Sequence, residues 1–157
     1  MHAGEVRFSI AAHAAWAPGL ATPAAWAEWA DAPFRIAVAD DAPVRDMPAM
    51  LRRRAGSLGK MALEVAYQCL GGRTGIPTVF VSRHGEVARA VDLLGDLASD
   101  TPLSPTAFGL AVHNASAGLF SIARADRANH VALAAGPDGV EHAVIEACGQ
   151  LADGAGA

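Results

Sequence analysis

The stretch Val131-Ala132-Leu133-Ala134-Ala135-Gly136-Pro137-Asp138-Gly139, leading into Val140-Glu141-His142-Ala143-Val144, decides the fold. An apolar run of four, Val131 to Ala134, is the length of a short buried strand. A glycine-proline turn follows at once, and then Val140, Ala143, Val144, Ala147 and Leu151 recur at helical spacing, which predicts a helix over 140–151 buried along that side. A strand that runs through a tight turn into a helix aims its last residues at free helix amides, where a thiolate or oxyanion is stabilised. In this elbow the residues are Ala135, Gly136, Pro137 and Asp138, with neither thiol nor hydroxyl. Asp138 reads as a carboxylate capping the helix.

The same unit occurs upstream. Pro77-Thr78-Val79-Phe80-Val81 is a continuous apolar run bounded by Gly75 and by Ser82-Arg83-His84-Gly85, the pattern of a strand buried on both faces. Val87, Ala90, Val91, Leu94 and Leu97 then stand at helical spacing and predict a helix over 86–97, completing a β-to-α unit. Ser104-Pro105 is a helix start, the serine capping and the proline sitting where its missing N–H costs nothing. From it Phe108, Ala111, Val112, Ala115, Leu119 and Ile122 trace one apolar face to Arg124. Alternating strands and helices predict an α/β domain with a mostly parallel sheet covered by helices.

Towards the amino terminus the pattern weakens. Val6 to Ala11 reads as a first strand, Pro18-Gly19 as a turn, and Phe34 to Val38 as a minor strand or an extended arm. Trp26 and Trp29 share a helical face and serve packing. The pair Asp40-Asp41 has no third ligand at metal spacing and reads as a solvated loop. From Met50 a helix carries Leu51, Leu58, Met61, Ala62, Val65, Ala66 and Cys69 on one face, ending at Gly71-Gly72. Residues 1–151 are expected to form one domain and 152–157 a disordered tail.

Composition excludes several classes. The chain has 157 residues, a formal net charge of −4 and 52% hydrophobic residues. It lacks the basic face that a nucleic-acid binder needs. Two cysteines far apart, Cys69 and Cys148, support neither a disulfide framework nor a zinc site. No metal or cofactor is expected. No apolar run reaches membrane-spanning length, and Glu5 and Arg7 interrupt any leader, so a cytoplasmic protein is expected. Turns that follow strands carry chemistry in α/β folds. The candidate pocket is therefore Ala135, Gly136 and Asp138 of one turn with Ser82 and His84 of the other.

Three segments resemble a known family. Leu103-Ser104-Pro105-Thr106-Ala107-Phe108 followed by His113-Asn114-Ala115-Ser116-Ala117-Gly118-Leu119-Phe120-Ser121-Ile122 is similar to the Ser-Pro helix start, Asn, Ala-Gly and Ser-Ile of β-ketoacyl synthases. Leu51-Arg52-Arg53-Arg54 before Met61-Ala62-Leu63-Glu64 resembles the family's arginine-rich lead-in. Val79 to Gly85 resembles its strand and glycine turn. In these thiolase-fold enzymes the next strand runs into the nucleophilic cysteine, whose counterpart, counted back from Glu146-Ala147, is at or beside Pro137.

Within that family the chain resembles the β-ketoacyl-synthase-like amino-terminal domain of chain-length-factor subunits of bacterial aryl polyene pathways. The resemblance implies the amino-terminal half of a thiolase-like fold, a vacant nucleophile position and no catalysis by the chain alone. It implies pairing with a β-ketoacyl synthase subunit, with Phe108, His113, Asn114 and Phe120 as interface candidates. Arg52, Arg53 and Arg54, the one concentrated positive charge, are candidates for docking an acidic acyl carrier protein. Two alternatives stay open: an active acyl-transfer enzyme using Ser116 or Cys148, and a self-associating module with no acyl partner.

Overall fold

The computed structural model describes residues 7–37 and 39–156, and all statements below concern these. Two strands and seven helices follow one another as α1 (Pro23–Asp31), α2 (Ala49–Arg52), α3 (Ser57–Leu70), β1 (Thr78–Val81), α4 (Val87–Ala98), α5 (Pro105–Gly109), α6 (Ala115–Arg124), β2 (His130–Leu133) and α7 (Gly139–Ala152). β1 and β2 pair in parallel, Thr78 opposite His130 and Val81 opposite Leu133. The chain is an α/β protein with a parallel sheet, as its alternation of strands and helices requires.

Successive strand residues point to opposite faces. Phe80 meets Phe120 of α6 on one face, their ring centroids 5.9 Å apart. On the other face Val81 lies against Gly139 at the start of α7, where an added Cβ would come within 3.3 Å of its Cγ2. The sheet therefore sits between α7 and α6, and α6 is backed by α3. The core fills the space between α3, α6 and the 42–47 loop: Leu63 is fully buried and packs with Ala42, Val44, Met47, Tyr67, Leu119 and Phe120. Tyr67 and Phe120 make an edge-to-face pair at 5.0 Å, and the Arg124 guanidinium lies over both rings. Burial pushes the Tyr67 hydroxyl up from its ordinary value.

Val44 holds a left-handed backbone (φ 41°), unusual for a β-branched residue. Its buried side chain and a 2.7 Å hydrogen bond from its amide to Glu64 Oε2 offset that strain. Pro18-Gly19 forms the expected turn, with Gly19 at φ 79° and Ala17 and Leu20 exchanging backbone hydrogen bonds. Asp41 is more than a solvated loop residue. It takes the Ser57 hydroxyl (2.6 Å) and the Lys60 ammonium (2.5 Å) at the first turn of α3, and Lys60 first, then Ser57, holds its carboxyl below the usual range.

Several expected elements differ. Residues 7–11 form no strand, and the sheet consists of β1 and β2 alone among the described residues; Val6 of that expectation lies outside the described residues. Residues 34–37 join no ladder, and Val38 lies outside the described residues. The helix from Met50 is two helices, broken at Arg53–Gly56. The helix from Pro105 is likewise interrupted at residues 110–114. β1 is half-buried rather than fully buried: α6 and α7 lie on its two faces, but no strand covers the edge away from β2 among the described residues. At the carboxyl end, residues 153–155 are not a loose tail: their amides bond back to Gly149, Leu151 and Gln150 and close α7. Ala157 lies outside the described residues.

Register between β1 and β2 is set before either strand begins. The Asp126 carboxylate accepts from the Ala128 amide (3.0 Å), just ahead of β2, and from the Gly75 amide (3.1 Å), just ahead of β1. Arg124 adds hydrogen bonds to the Gly71 and Arg73 carbonyls. The two amides hold the Asp126 carboxyl below its ordinary value. A carboxyl depressed in the folded state contributes stability above the ordinary carboxylate range, and this is lost as pH falls through the depressed value. Asp126→Asn is therefore expected to melt below the parent at neutral pH, with the gap closing below about pH 4. A gap independent of pH in thermal melts counts against this role.

Candidate functional site

Because β1 and β2 are parallel neighbours, their following turns leave the same edge of the sheet. The Ser82 amide donates to the Leu133 carbonyl at 3.1 Å, continuing the ladder into both turns. A hollow lies beside the turn after β1, lined by Leu58, Ala62, Phe80, Val81, Ser82, Gly85, Glu86, His113 and Ser116; of the expected pocket it includes Ser82, and not Ala135, Gly136 or Asp138 of the other turn.

Ser82 closes its own turn, its hydroxyl accepting from the Gly85 amide at 3.0 Å. His113 Nε2 is 2.8 Å from the Leu133 carbonyl. A carbonyl only accepts, so Nε2 carries the proton and Nδ1 faces Gly85. His113 thus ties the α5–α6 junction to the end of β2. Gly85 (φ 55°) makes this approach possible: a Cβ there would lie 2.6 Å from His113 Nδ1 and 3.3 Å from its Cα. Gly85→Ala combines left-handed strain with this clash and is expected to cost about 1–3 kcal/mol. A chemical-denaturation midpoint equal to the parent's overturns it.

The elbow after β2 is open. Ala135 is half-buried, while Gly136, Pro137 and Asp138 are exposed. Asp138 does not cap α7 with its carboxylate. Its backbone (φ −90°, ψ 33°) lacks the extended geometry that turns a capping side chain onto the helix amides, and its carbonyl instead accepts from the amide and Nδ1 of His142. His84 is exposed and is not among the residues lining the hollow.

The alternative nucleophiles are poorly placed. Cys148 lies 148 − 137 = 11 positions beyond Pro137, about 16 Å along a helix at about 1.5 Å per residue. Ser116 Oγ has Glu86 Oε1 at 3.5 Å, beyond the reach at which a base activates a hydroxyl. Glu86 escaped the sequence reading. Its carboxylate occupies space that Gly56 and Gly59 leave at the start of α3, where added Cβ atoms would approach it to 2.5 and 3.1 Å. The two glycines three apart at a helix start were the available signal.

Of the interface candidates, Phe108 is 68% exposed and Asn114 is on the surface at the start of α6, its amide making no capping hydrogen bond. Phe120 is buried in the core against Tyr67 and Phe80, so it faces no partner. Arg52 is engaged, donating to the Pro43 and Val44 carbonyls, which leaves Arg53 and Arg54 as the exposed part of the basic run. Arg89 joins them through a hydrogen bond to the Arg54 carbonyl.

The largest departure concerns apolar faces. Val87, Val91, Leu94 and Leu97 of α4 face outward, and Leu93 is the buried residue of that helix. Val140, Val144 and Ile145 of α7 are likewise exposed. Among the described residues no group of three or more His, Cys, Asp or Glu is arranged to hold a metal, and no helix is long and apolar enough to cross a membrane.

The sequence profile of the family described as beta-ketoacyl synthase, N-terminal domain, matches residues 26–157. Among solved structures, a chain of the complex of a ketosynthase (ApeO) with its chain length factor (ApeC) from Xenorhabdus doucetiae is similar at a TM-score of 0.74 and 28% identity. The match covers 88% of this chain and 59% of that one, so the present chain spans about three-fifths of that relative. No curated protein sequence matches.

Proposed function

The chain belongs to the β-ketoacyl synthase amino-terminal-domain family, and from that premise we propose that it is a non-catalytic, chain-length-factor-like partner of a ketosynthase. One observation carries this: the elbow between β2 and α7, the place for a nucleophile, holds Ala135, Gly136, Pro137 and Asp138 and has nothing that can form an acyl-enzyme. The solved relative belongs to a complex of a ketosynthase with its chain length factor, which supports a ketosynthase as the partner class. The outward stripe of α4 supplies apolar surface of the kind that specific partners cover.

In this role the chain contributes walls to the tunnel that receives the growing acyl chain, through α5 and the α5–α6 junction where Phe108, His113 and Asn114 sit. The resemblance of the chain to chain-length-factor subunits of aryl polyene pathways favours a polyene as that acyl chain, made in the cytoplasm. Arg53 and Arg54, with Arg52 behind them, form a docking point for an acidic acyl carrier protein. Reversing all three charges is the test of that point, and unchanged carrier affinity sinks it.

The partner role is tested by co-expression with a ketosynthase of the same organism and affinity purification through a tag on the ketosynthase. Equimolar recovery of both chains supports the role. Recovery of the ketosynthase alone, with this chain eluting as its own homodimer, contradicts it and favours a self-associating module.

A further inference from the structure

An apolar stripe turned to water needs something that keeps it there, because burial favours turning it inward. On α4 the stripe is Val87, Val91, Leu94 and Leu97, and Leu93 is the buried residue of the helix. Apolar packing therefore does not set the direction of α4. Polar ties at its amino end do. Glu86, the residue before α4, makes no side-chain cap on that helix. Its carboxylate reaches the start of α3 instead, seated where Gly56 and Gly59 carry no Cβ, with the Ser116 hydroxyl of α6 3.5 Å from its Oε1. The first amides of a helix have no partner within it, and Gly56 at the cap position of α3 has no side chain to offer them. A carboxylate over a helix start is held by the helix dipole. Arg89, one turn further along α4, donates to the Arg54 carbonyl at 3.0 Å, and Gly85 closes on His113 just ahead of the helix.

We propose that Glu86 is a clamp that fixes the direction of α4 and so presents its apolar stripe to a partner. Glu86 is a positioning residue, acting through the seat that Gly56 and Gly59 provide. With the carboxylate seated on α3 and Arg89 tied to the loop before it, α4 is held against rolling about its own axis. With the seat lost, Val91 and Leu94 turn towards the chain and leave water. The glycine at position 56 fits this role alone: the three atoms nearest a Cβ added there all belong to the Glu86 carboxyl group, the closest at 2.5 Å. The clamp rests on these contacts, and only the identity of what the stripe receives rests on the ketosynthase-partner role proposed above.

The test uses the 157-residue chain carrying Leu94→Cys as a reporter in the stripe. Alkylation by iodoacetamide is followed at position 94 by peptide mass, with Cys148 as internal reference. Gly56→Ala is the deciding variant, because it fills the seat while leaving Glu86 and the stripe in place, at a backbone angle (φ −71°) that alanine adopts freely. Gly56→Ala and Glu86→Ala are each expected to slow alkylation about tenfold, the size of a partly buried carboxylate's hold on a helix start. Combined, they slow it no further than either alone, since both remove the same contact. Both also lower co-purification with the ketosynthase, although neither alters the stripe. Equal rates in parent and variants overturn the clamp. So does a faster rate, which assigns Glu86 to general stability. A slowed rate with undiminished ketosynthase recovery upholds the clamp and moves the partner to another face.

Discussion

Leu63→Ala is expected to lower the free energy of unfolding by about 2–5 kcal/mol, the range for removing a buried leucine and leaving a cavity. Leu63 has no exposed surface and sits where α3, α6 and the 42–47 loop meet. Its neighbours Tyr67, Phe120 and Phe80 are locked in edge-to-face pairs and cannot close the space without breaking them. A domain of this size has about 5–15 kcal/mol in all, so the variant sits near the unfolding threshold. Chemical denaturation measures the loss. A change below about 1 kcal/mol would show that the α3–α6 contact is not the centre of the fold.

The α/β alternation, the parallel strands and the Gly71 and Ser104 helix boundaries were legible because each rests on local chemistry: a caps-and-turns residue, or a run of apolar side chains of strand length. The directions of the helices were not. Val87, Val91, Leu94 and Leu97 form a true apolar stripe, but a stripe says only that a face leaves water, not which body receives it. The same holds for Val140 and Val144 on α7. The breaks at Arg53–Gly56 and 110–114 escaped because periodicity continues across them. At the site, the empty elbow was readable directly from Ala134 to Asp138. The pairing of His113 with Gly85, and of Glu86 with Gly56 and Gly59, was not, since those contacts join residues far apart in sequence.

The outward stripe gives the second large effect. Val91→Asp with Leu94→Asp is expected to abolish recovery with the ketosynthase while leaving the fold intact. The two side chains are 60% and 63% exposed, so charging them costs the isolated chain little. Each is worth about 1.5–3 kcal/mol when covered by a partner, and together their loss weakens binding by about a hundredfold or more. Phe108→Asp, on α5 which packs against α4, is expected to act in the same direction. Undiminished co-purification of the double variant, at matched circular dichroism, would place the partner on another face.

The elbow holds no nucleophile, and in the proposed role the chemistry belongs to a partner that has one. Intact-mass measurement of the co-purified complex, after treatment with an electrophilic condensing-enzyme inhibitor, tests it most directly. The account predicts one adduct on the ketosynthase and an unshifted mass for this chain. A stoichiometric adduct on this chain, mapped to Ser116 or Cys148, would contradict it.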